Sequence, residues 1–312
     1  MTADQHPERE LGRYRLDRVL GSGAFATVWK GYDPELDTVV AVKILAENWS
    51  VNADVRERFL TEARLLRRIE SPRVVQVHDV GVADDRPFFV MDYISGGTLA
   101  DLVGQLEPGD ALRLAAQAAY AVQVLHAEGI VHRDIKPTNL LMDDNFDDSR
   151  VLVADLGSAK MLADASGLTV TTGTPAYMAP EQADQSGGFD ARADVYALGV
   201  VAYELVCGRR PFDDVSAAAV MMRPTQARAE PIARRLGLDA ELDALLAASL
   251  SRDPGQRPAT AVELGDRLTA LSAGPDLTAA DRSQSHNWPV VLVVVAAVLA
   301  FAATAAAAWL LQ

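Results

Sequence analysis

IVHRDIKPTNLLMD, residues 130 to 143, sets apolar residues on both sides of a knot of charge. Ile130 and Val131 precede the knot; Leu140, Leu141 and Met142 follow it. Between them stand His132, Arg133, Asp134, Lys136 and Asn139. Apolar flanks of this kind are expected to be buried. A carboxylate, an ammonium and a guanidinium so close to buried chain cost free energy unless each has a partner. The stretch therefore reads as a loop clamped to a core, presenting charge to something specific.

Neighbouring stretches supply candidates for that partner. Downstream, VLVADLGSA (residues 151 to 159) is an apolar strand ending in Asp155-Leu156-Gly157. An Asp before Gly at a strand end is often only a turn residue, yet Asp155 and Asn139 together offer hard oxygen ligands that suit Mg²⁺. Upstream, VLGSGAFATVWKG (19 to 31) lies between two strand-like segments. A dinucleotide turn needs a helix after its glycines, so that reading is weak. Gly-x-Gly on a strand–turn–strand either makes a plain turn or lies over phosphates. In VAVK (40 to 43), a lysine closes an apolar strand. Such a lysine either snorkels to water or is held inside by an anion. Glu62, on the helical segment that follows, is the candidate anion.

The pattern outside these stretches divides the chain. Residues 1 to 13 read as a polar tail. YRLDRVLG, TVWKGYD and TVVAVKIL, within residues 14 to 45, read as strands separated by Gly-rich or Asp-Pro turns. Over residues 53 to 69 the period changes: Phe59, Ala63, Leu66 and Ile69 recur at helical spacing. Strand signals return in RVVQVHDVG and PFFVMDYI. Helical segments dominate from there to residue 271. Residues 272 to 288 are polar and read as a linker. From Pro289 the chain is free of charge to its last residue. Val290 to Leu311, 22 residues, would span about 33 Å as a helix, which suits a hydrocarbon core of about 30 Å. Trp288 and Trp309 stand near its ends, where interfacial aromatics belong. A transmembrane helix over 289 to 311 is expected.

Composition narrows the function. The net charge of −14 argues against nucleic-acid binding, which needs a basic surface. A single cysteine, Cys207, excludes an internal disulfide and a thiol pair; at the end of an apolar run it reads as a core residue. The N-terminus has no apolar stretch, so no secretory signal is expected.

In order, GSGAFATV, VAVK, the helix with Glu62, HRDIKPTN, DLG, GTPAYMAPE and DVYALG resemble the signature set of the eukaryotic-type protein kinase family. The resemblance runs over residues 14 to 271. It implies an α+β, two-lobed protein-kinase fold. A small antiparallel β-sheet lobe with one helix would occupy residues 14 to 91, and a larger, mainly α-helical lobe residues 92 to 271. By the same resemblance, Lys43 would hold the α- and β-phosphates of ATP and pair with Glu62, beneath a loop containing Gly21 and Gly23. Leu20, Val28, Ala41 and Leu141 would sandwich the adenine. Met91 would stand as gatekeeper, and the backbones of Asp92 and Ile94 would bond the adenine edge. Asn139 and Asp155 would bind Mg²⁺, with Mn²⁺ as an alternative ion. Asp134 would accept or orient the proton of the substrate hydroxyl, Lys136 would meet the γ-phosphoryl group, and Thr174 would bridge Asp134 and Lys136.

HRD-x-K-P-x-N, with Gly173-Thr174 ahead of Tyr177, resembles serine/threonine rather than tyrosine kinases, so the implied partners are proteins with Ser or Thr acceptors. A pair between Glu181 and Arg257, and Asp194, are implied as structural. Arg133 before the catalytic Asp implies a receiver for an activation-loop phosphate. Ser166, Thr169, Thr171 and Thr172 lie in that loop, and autophosphorylation is expected on one or more of the threonines. Two positions depart from the pattern. Ala26 replaces a third glycine, and DLG replaces DFG; neither removes a catalytic group.

GTPAYMAPEQ and RDPGQRPAT resemble the bacterial membrane-anchored serine/threonine kinases. A single-pass protein of the cell membrane with its kinase domain in the cytoplasm, where ATP and Mg²⁺ are, is the expected arrangement. Because the sequence stops at Gln312, the signal is expected from a partner, from lipid or from association in the membrane. Ala296, Ala300, Thr304 and Ala308 form a small-xxx-small ridge that would suit a homodimer. Two alternatives use the same fold: a tethered interaction module without transfer, and a small-molecule phosphotransferase. The presence of Lys43, Asp134 and Asp155 counts against the first, and an intact GTPAYMAPE against the second.

Overall fold

The computed structural model describes residues 9–143, 150–156, 175–184 and 188–273. The first strands are β1 (Arg9–Leu11), β2 (Tyr14–Ser22), β3 (Ala26–Asp33) and β4 (Thr38–Leu45). A short helix α1 (Glu47–Ser50) and the longer α2 (Ala53–Arg67) follow, then β5 (Val77–Ala83) and β6 (Arg86–Asp92). The six strands form one antiparallel sheet in the order β1-β2-β3-β4-β6-β5. β1 lies inside the stretch read as a polar tail. It buries Leu11 by pairing it with Tyr14.

The two central strands explain how Lys43 comes to the site. β4 is a run of β-branched residues that alternates between two buried faces. Val40, Val42 and Ile44 join Phe88 and Val90 of β6 in a small outer cluster with Tyr14 and Leu16. Ala41 and Leu45 join Phe89 and Met91 in the main core. Lys43 has the parity of Ala41 and Leu45, so the pleat turns it toward the main core, where it is buried. Against that face lies α2. Asn52 caps it, its side-chain oxygen accepting from the Val55 N–H at 3.1 Å. Its buried residues are Val55, Phe59, Glu62, Ala63 and Leu66. Glu62 thus shares the buried, otherwise apolar face.

The remaining chain is mainly helical. α3 (Pro108–Ala127) is followed by the loop 130–139 and the hairpin β7 (Leu140–Asp143) and β8 (Arg150–Val153). Then come α4 (Pro180–Ala183), α5 (Arg192–Cys207), α6 (Ala217–Met222), α7 (Ala233–Leu236), α8 (Glu241–Ser249) and α9 (Ala261–Ser272). α5 is buried almost along its whole length. At Gly199 a Cβ would stand 2.7 Å from the Ser249 Cβ, so only glycine lets α8 approach that closely. β8 is stitched to the segment before β5, Val75 N–H donating to Val153 O at 3.1 Å and Val153 N–H to Arg73 O at 2.9 Å. Cys207 is half-buried, its thiol donates to the Arg209 carbonyl, and burial pushes its pKa up. It is not poised as a nucleophile. No helix among the described residues is long and apolar enough to cross a membrane; residues 289 to 311 lie outside them.

Candidate active site

The loop quoted above is held from below by one carboxylate. Asp194, in the first turn of α5, is 1% exposed. Its Oδ2 accepts from the His132 backbone N–H at 2.7 Å, and its Oδ1 from the Arg133 N–H at 2.9 Å. His126, in the last turn of α3, reaches the same Oδ2 through Nε2 at 2.8 Å. Arg133 has φ +73°, a left-handed conformation that costs a non-glycine residue about 1–3 kcal/mol unless its surroundings enforce it. Asp194 supplies that enforcement, and Gln182 adds a bond from its Nε2 to the Arg133 carbonyl at 3.2 Å. His132, also 1% exposed, ties the loop to the end of β8. Its Nδ1 accepts from Asp134 N–H at 3.3 Å, and its Nε2 donates to Ala154 O at 3.0 Å.

On that base the charged side chains converge. Lys136 Nζ lies 2.7 Å from Asp134 Oδ2. Asn139 Nδ2 donates to the Asp134 carbonyl at 2.9 Å and more weakly to Oδ2 at 3.3 Å. Both donors fix the Asp134 carboxylate, which stays partly open to solvent. From the other lobe, Lys43 Nζ bonds Glu62 Oε1 at 3.2 Å and Asp155 Oδ1 at 2.9 Å. Its ammonium also lies 5.3 Å from the centre of the Phe89 ring. Burial would lower the Lys43 pKa, but the charges of Asp155 and Glu62 outweigh it and the pKa is raised. For Asp155 burial pulls upward; the charge and hydrogen bond of Lys43, with smaller contributions from His132 and Lys136, bring the net pKa below the usual carboxylate value. Both groups are therefore ionised at neutral pH. Asp155 itself has φ +53°, a second left-handed residue within the site.

Most of the residues expected to face the adenine lie on the strands or beside them. Val28 is opposite both Gly21 and Lys43 in the register, and Ala41 is opposite Met91. Leu20 is the extra residue at a bulge between Val19 and Gly21. Leu141 pairs with Thr98 across a single bridge. The Asp92 carboxylate accepts from Gln76 N–H and lies 2.7 Å from His78 Nε2, and its backbone N–H donates to the Gln76 carbonyl at 3.1 Å, so its side chain and its N–H are both committed elsewhere. Ile94 follows β6 and is half-buried. A Cβ built on Gly21 meets nothing within 4 Å, which leaves open space beside the loop for phosphate. Leu156 is buried in the main core.

The donor set fits a hard cation. Asn139 has its amide nitrogen committed to Asp134, leaving its carbonyl oxygen, and Asp155 offers a carboxylate. No group of three or more His, Cys, Asp or Glu able to hold a metal occurs among the described residues. Two protein ligands with phosphate and water completing the shell is the arrangement Mg²⁺ tolerates.

The pair expected between Glu181 and Arg257 is formed. Arg257 is buried and forms a two-pronged pair with Glu181, at 2.6 and 2.8 Å. It also donates to the Ser251 and Arg192 carbonyls. The Arg133 guanidinium lies 5.1 Å from the centre of the Phe189 ring. Thr169, Thr171, Thr172 and Thr174 lie outside the described residues. Sequence reasoning missed His126 and Gln182. His126 carries only the faint signal of a histidine beside the buried Val122 and Leu125 of α3, and its partner is 68 residues away.

The protein kinase domain family matches residues 14–266. The chain belongs to the protein kinase family. Among its relatives, the serine/threonine-protein kinase PknB of Mycobacterium leprae is 36% identical over 296 residues, covering 89% of this chain and 47% of that protein. Serine/threonine-protein kinase PknL of Mycobacterium tuberculosis is 35% identical over 268 residues, covering 83% and 66%. The chain thus spans about half to two-thirds of the length of these relatives. The crystal structure of the Mycobacterium tuberculosis PknI kinase domain superposes with a TM-score of 0.65 at 26% identity, covering 86% of this chain and all of that one. The two-lobed protein-kinase fold inferred from the motifs is the fold observed.

Proposed function

We propose that the chain is a serine/threonine protein kinase that transfers the γ-phosphoryl group of ATP to protein hydroxyls. The observation that carries this is the meeting of Lys43, Glu62 and Asp155 across the two lobes, next to the Asp134–Lys136–Asn139 set. The substrate oxygen forms a bond to the γ-phosphorus as the bond to the β,γ-bridging oxygen breaks, and ADP leaves. Asp134 orients the hydroxyl and takes its proton. Lys136 compensates charge developing on the transferred group, and Lys43 holds the α- and β-phosphates. Mg²⁺, bound through Asn139 and Asp155, would neutralise phosphate charge. Lys136, two residues after Asp134, supports a Ser or Thr acceptor. The test is phosphoamino-acid analysis of a generic protein substrate after incubation with the full chain and Mg·ATP. Label on Ser and Thr is expected; label confined to Tyr would overturn the assignment.

Two further features belong to the proposal. The charge-free segment 289 to 311 anchors the chain in the cell membrane with the kinase domain cytoplasmic, and its small-residue ridge brings two copies together. Alkaline carbonate extraction should leave the full chain in the pellet. The loop threonines Thr169, Thr171 and Thr172 are autophosphorylation sites read by Arg133. Replacing all three by Ala should lower activity; unchanged activity would remove the switch.

A further inference from the structure

The phosphate-side loop, residues 20 to 26, carries an anchor with no part in the chemistry above. Phe25 at its tip is 3% exposed and joins the buried cluster that contains Leu45, Val55 and Phe59. The rings of Phe25 and Trp49 lie 4.8 Å apart, centre to centre, inclined by 34°. The Trp49 indole Nε1–H donates to the Ala24 carbonyl at 3.0 Å. The Ala46 N–H donates to the Phe25 carbonyl at 2.8 Å, and the Gly23 N–H closes the turn onto Ala26 O at 2.9 Å. Ala46 and Trp49 belong to α1 and its N-terminal cap, the segment between Lys43 of β4 and Glu62 of α2. The corner between α1 and α2 is itself fixed, Arg56 donating to the Ser50 carbonyl at 3.0 Å and Asn52 N–H to Trp49 O at 3.0 Å.

We propose that Trp49 is a positioning residue for the loop over the nucleotide phosphates. Its indole holds the backbone of Ala24 and Phe25, and it links that loop to the segment joining Lys43 to Glu62. The inference rests on the reading of the cleft as an ATP site. A glycine-rich loop that must order itself around phosphate loses conformational freedom on binding. A loop already fixed at Ala24 and Phe25 loses less. The gain falls on the phosphate-bearing part of the ligand alone, because the loop tip lies over phosphates and the base is held by β3, β4 and the end of β6.

The test is calorimetric titration of the full chain, Trp49→Phe and Trp49→Leu with Mg·ADP and, separately, with adenosine. Trp49→Phe keeps a smaller ring against Phe25 and removes the N–H donor with the part of the indole that carries it. Loss of that single bond should weaken Mg·ADP binding about fivefold, and Trp49→Leu should weaken it further, while adenosine binding stays within about twofold. Melting temperatures record any loss of folding separately; should Trp49→Leu fail to fold, Trp49→Phe decides. Equal weakening of both ligands, or wild-type affinity for Mg·ADP in the variants, overturns the inference. A wild-type chain that binds neither ligand overturns the ATP reading, and this inference with it.

Discussion

Asp134 and Lys43 serve one cleft, but the chain fixes them by different means. Asp134 stands on a loop whose backbone N–H groups are gripped by a buried carboxylate, Asp194, itself braced by His126. Every contact in that grip comes from the helical lobe. Lys43 is fixed by side chains from two other segments, Glu62 on α2 and Asp155 beyond β8, and the loop above it depends on Trp49. The floor is built within one lobe; the roof joins side chains of three separate segments. A shift of one of those segments would break an ion pair of the roof and leave the floor untouched.

The comparison is sharpened most by Lys43→Met. It should reduce kcat/KM for phosphoryl transfer about 100-fold and lower the melting temperature as well, because it leaves the Glu62 and Asp155 carboxylates without their cation; unchanged transfer would remove Lys43 from the chemistry. Asp194→Ala strikes the floor. It strands the His132 and Arg133 N–H groups and should cost about 3 kcal/mol of stability or more by denaturant unfolding. If it folds as stably as the wild type, the platform account fails. Arg257→Lys keeps the charge but loses the two-pronged pair with Glu181, and should cost about 2 kcal/mol in the same assay.

A weaker test uses pH. The Lys43 pKa is raised, so its contribution to stability is complete below its ordinary value of 10.5 and is lost as pH rises through the folded-state value. The Asp155 pKa is depressed, so its contribution is complete above its ordinary value of 3.8 and is lost as pH falls through the folded-state value. Between those limits neither titrates in the wild type. In Lys43→Met burial acts on Asp155 without its cation, so protonation relieves the variant and the melting-temperature difference from wild type should narrow as pH falls; a difference that widens toward low pH would contradict the ion cluster. The smallest effect belongs to Ala26→Gly. Ala26 sits in β3 opposite Leu45, and its replacement should change ATP affinity by less than about threefold while costing about 0.5–1 kcal/mol of strand stability.

Much of this was legible in the residues. β2, β3 and β4 begin and end within one residue of the apolar runs that suggested them, because alternation and turn residues are local signals. The site was legible because its motifs are short and ordered along the chain. What escaped notice is non-local. β1 is three residues long with no periodicity, and only pairing with β2 buries Leu11. The run from Arg73 reads as strand, yet β5 starts at Val77, since residues 73 to 75 bond Val153 instead. The Lys43–Glu62 pair was legible, but the second carboxylate on Lys43, Asp155, was not, because it lies 112 residues away. Trp49 sits in the polar stretch ENWS, and its partners, Ala24 and Phe25, are two strands earlier.

The central claim, that Asp134 on its fixed platform carries phosphoryl transfer, is tested most directly by comparing the full chain with Asp134→Asn. Transfer from γ-labelled ATP and calorimetric binding of Mg·ADP would be measured on the same preparations. The account predicts that transfer to Ser and Thr falls at least about 100-fold while nucleotide affinity is unchanged. Equal transfer by both proteins, or a wild type that binds Mg·ADP tightly and transfers nothing, would contradict it.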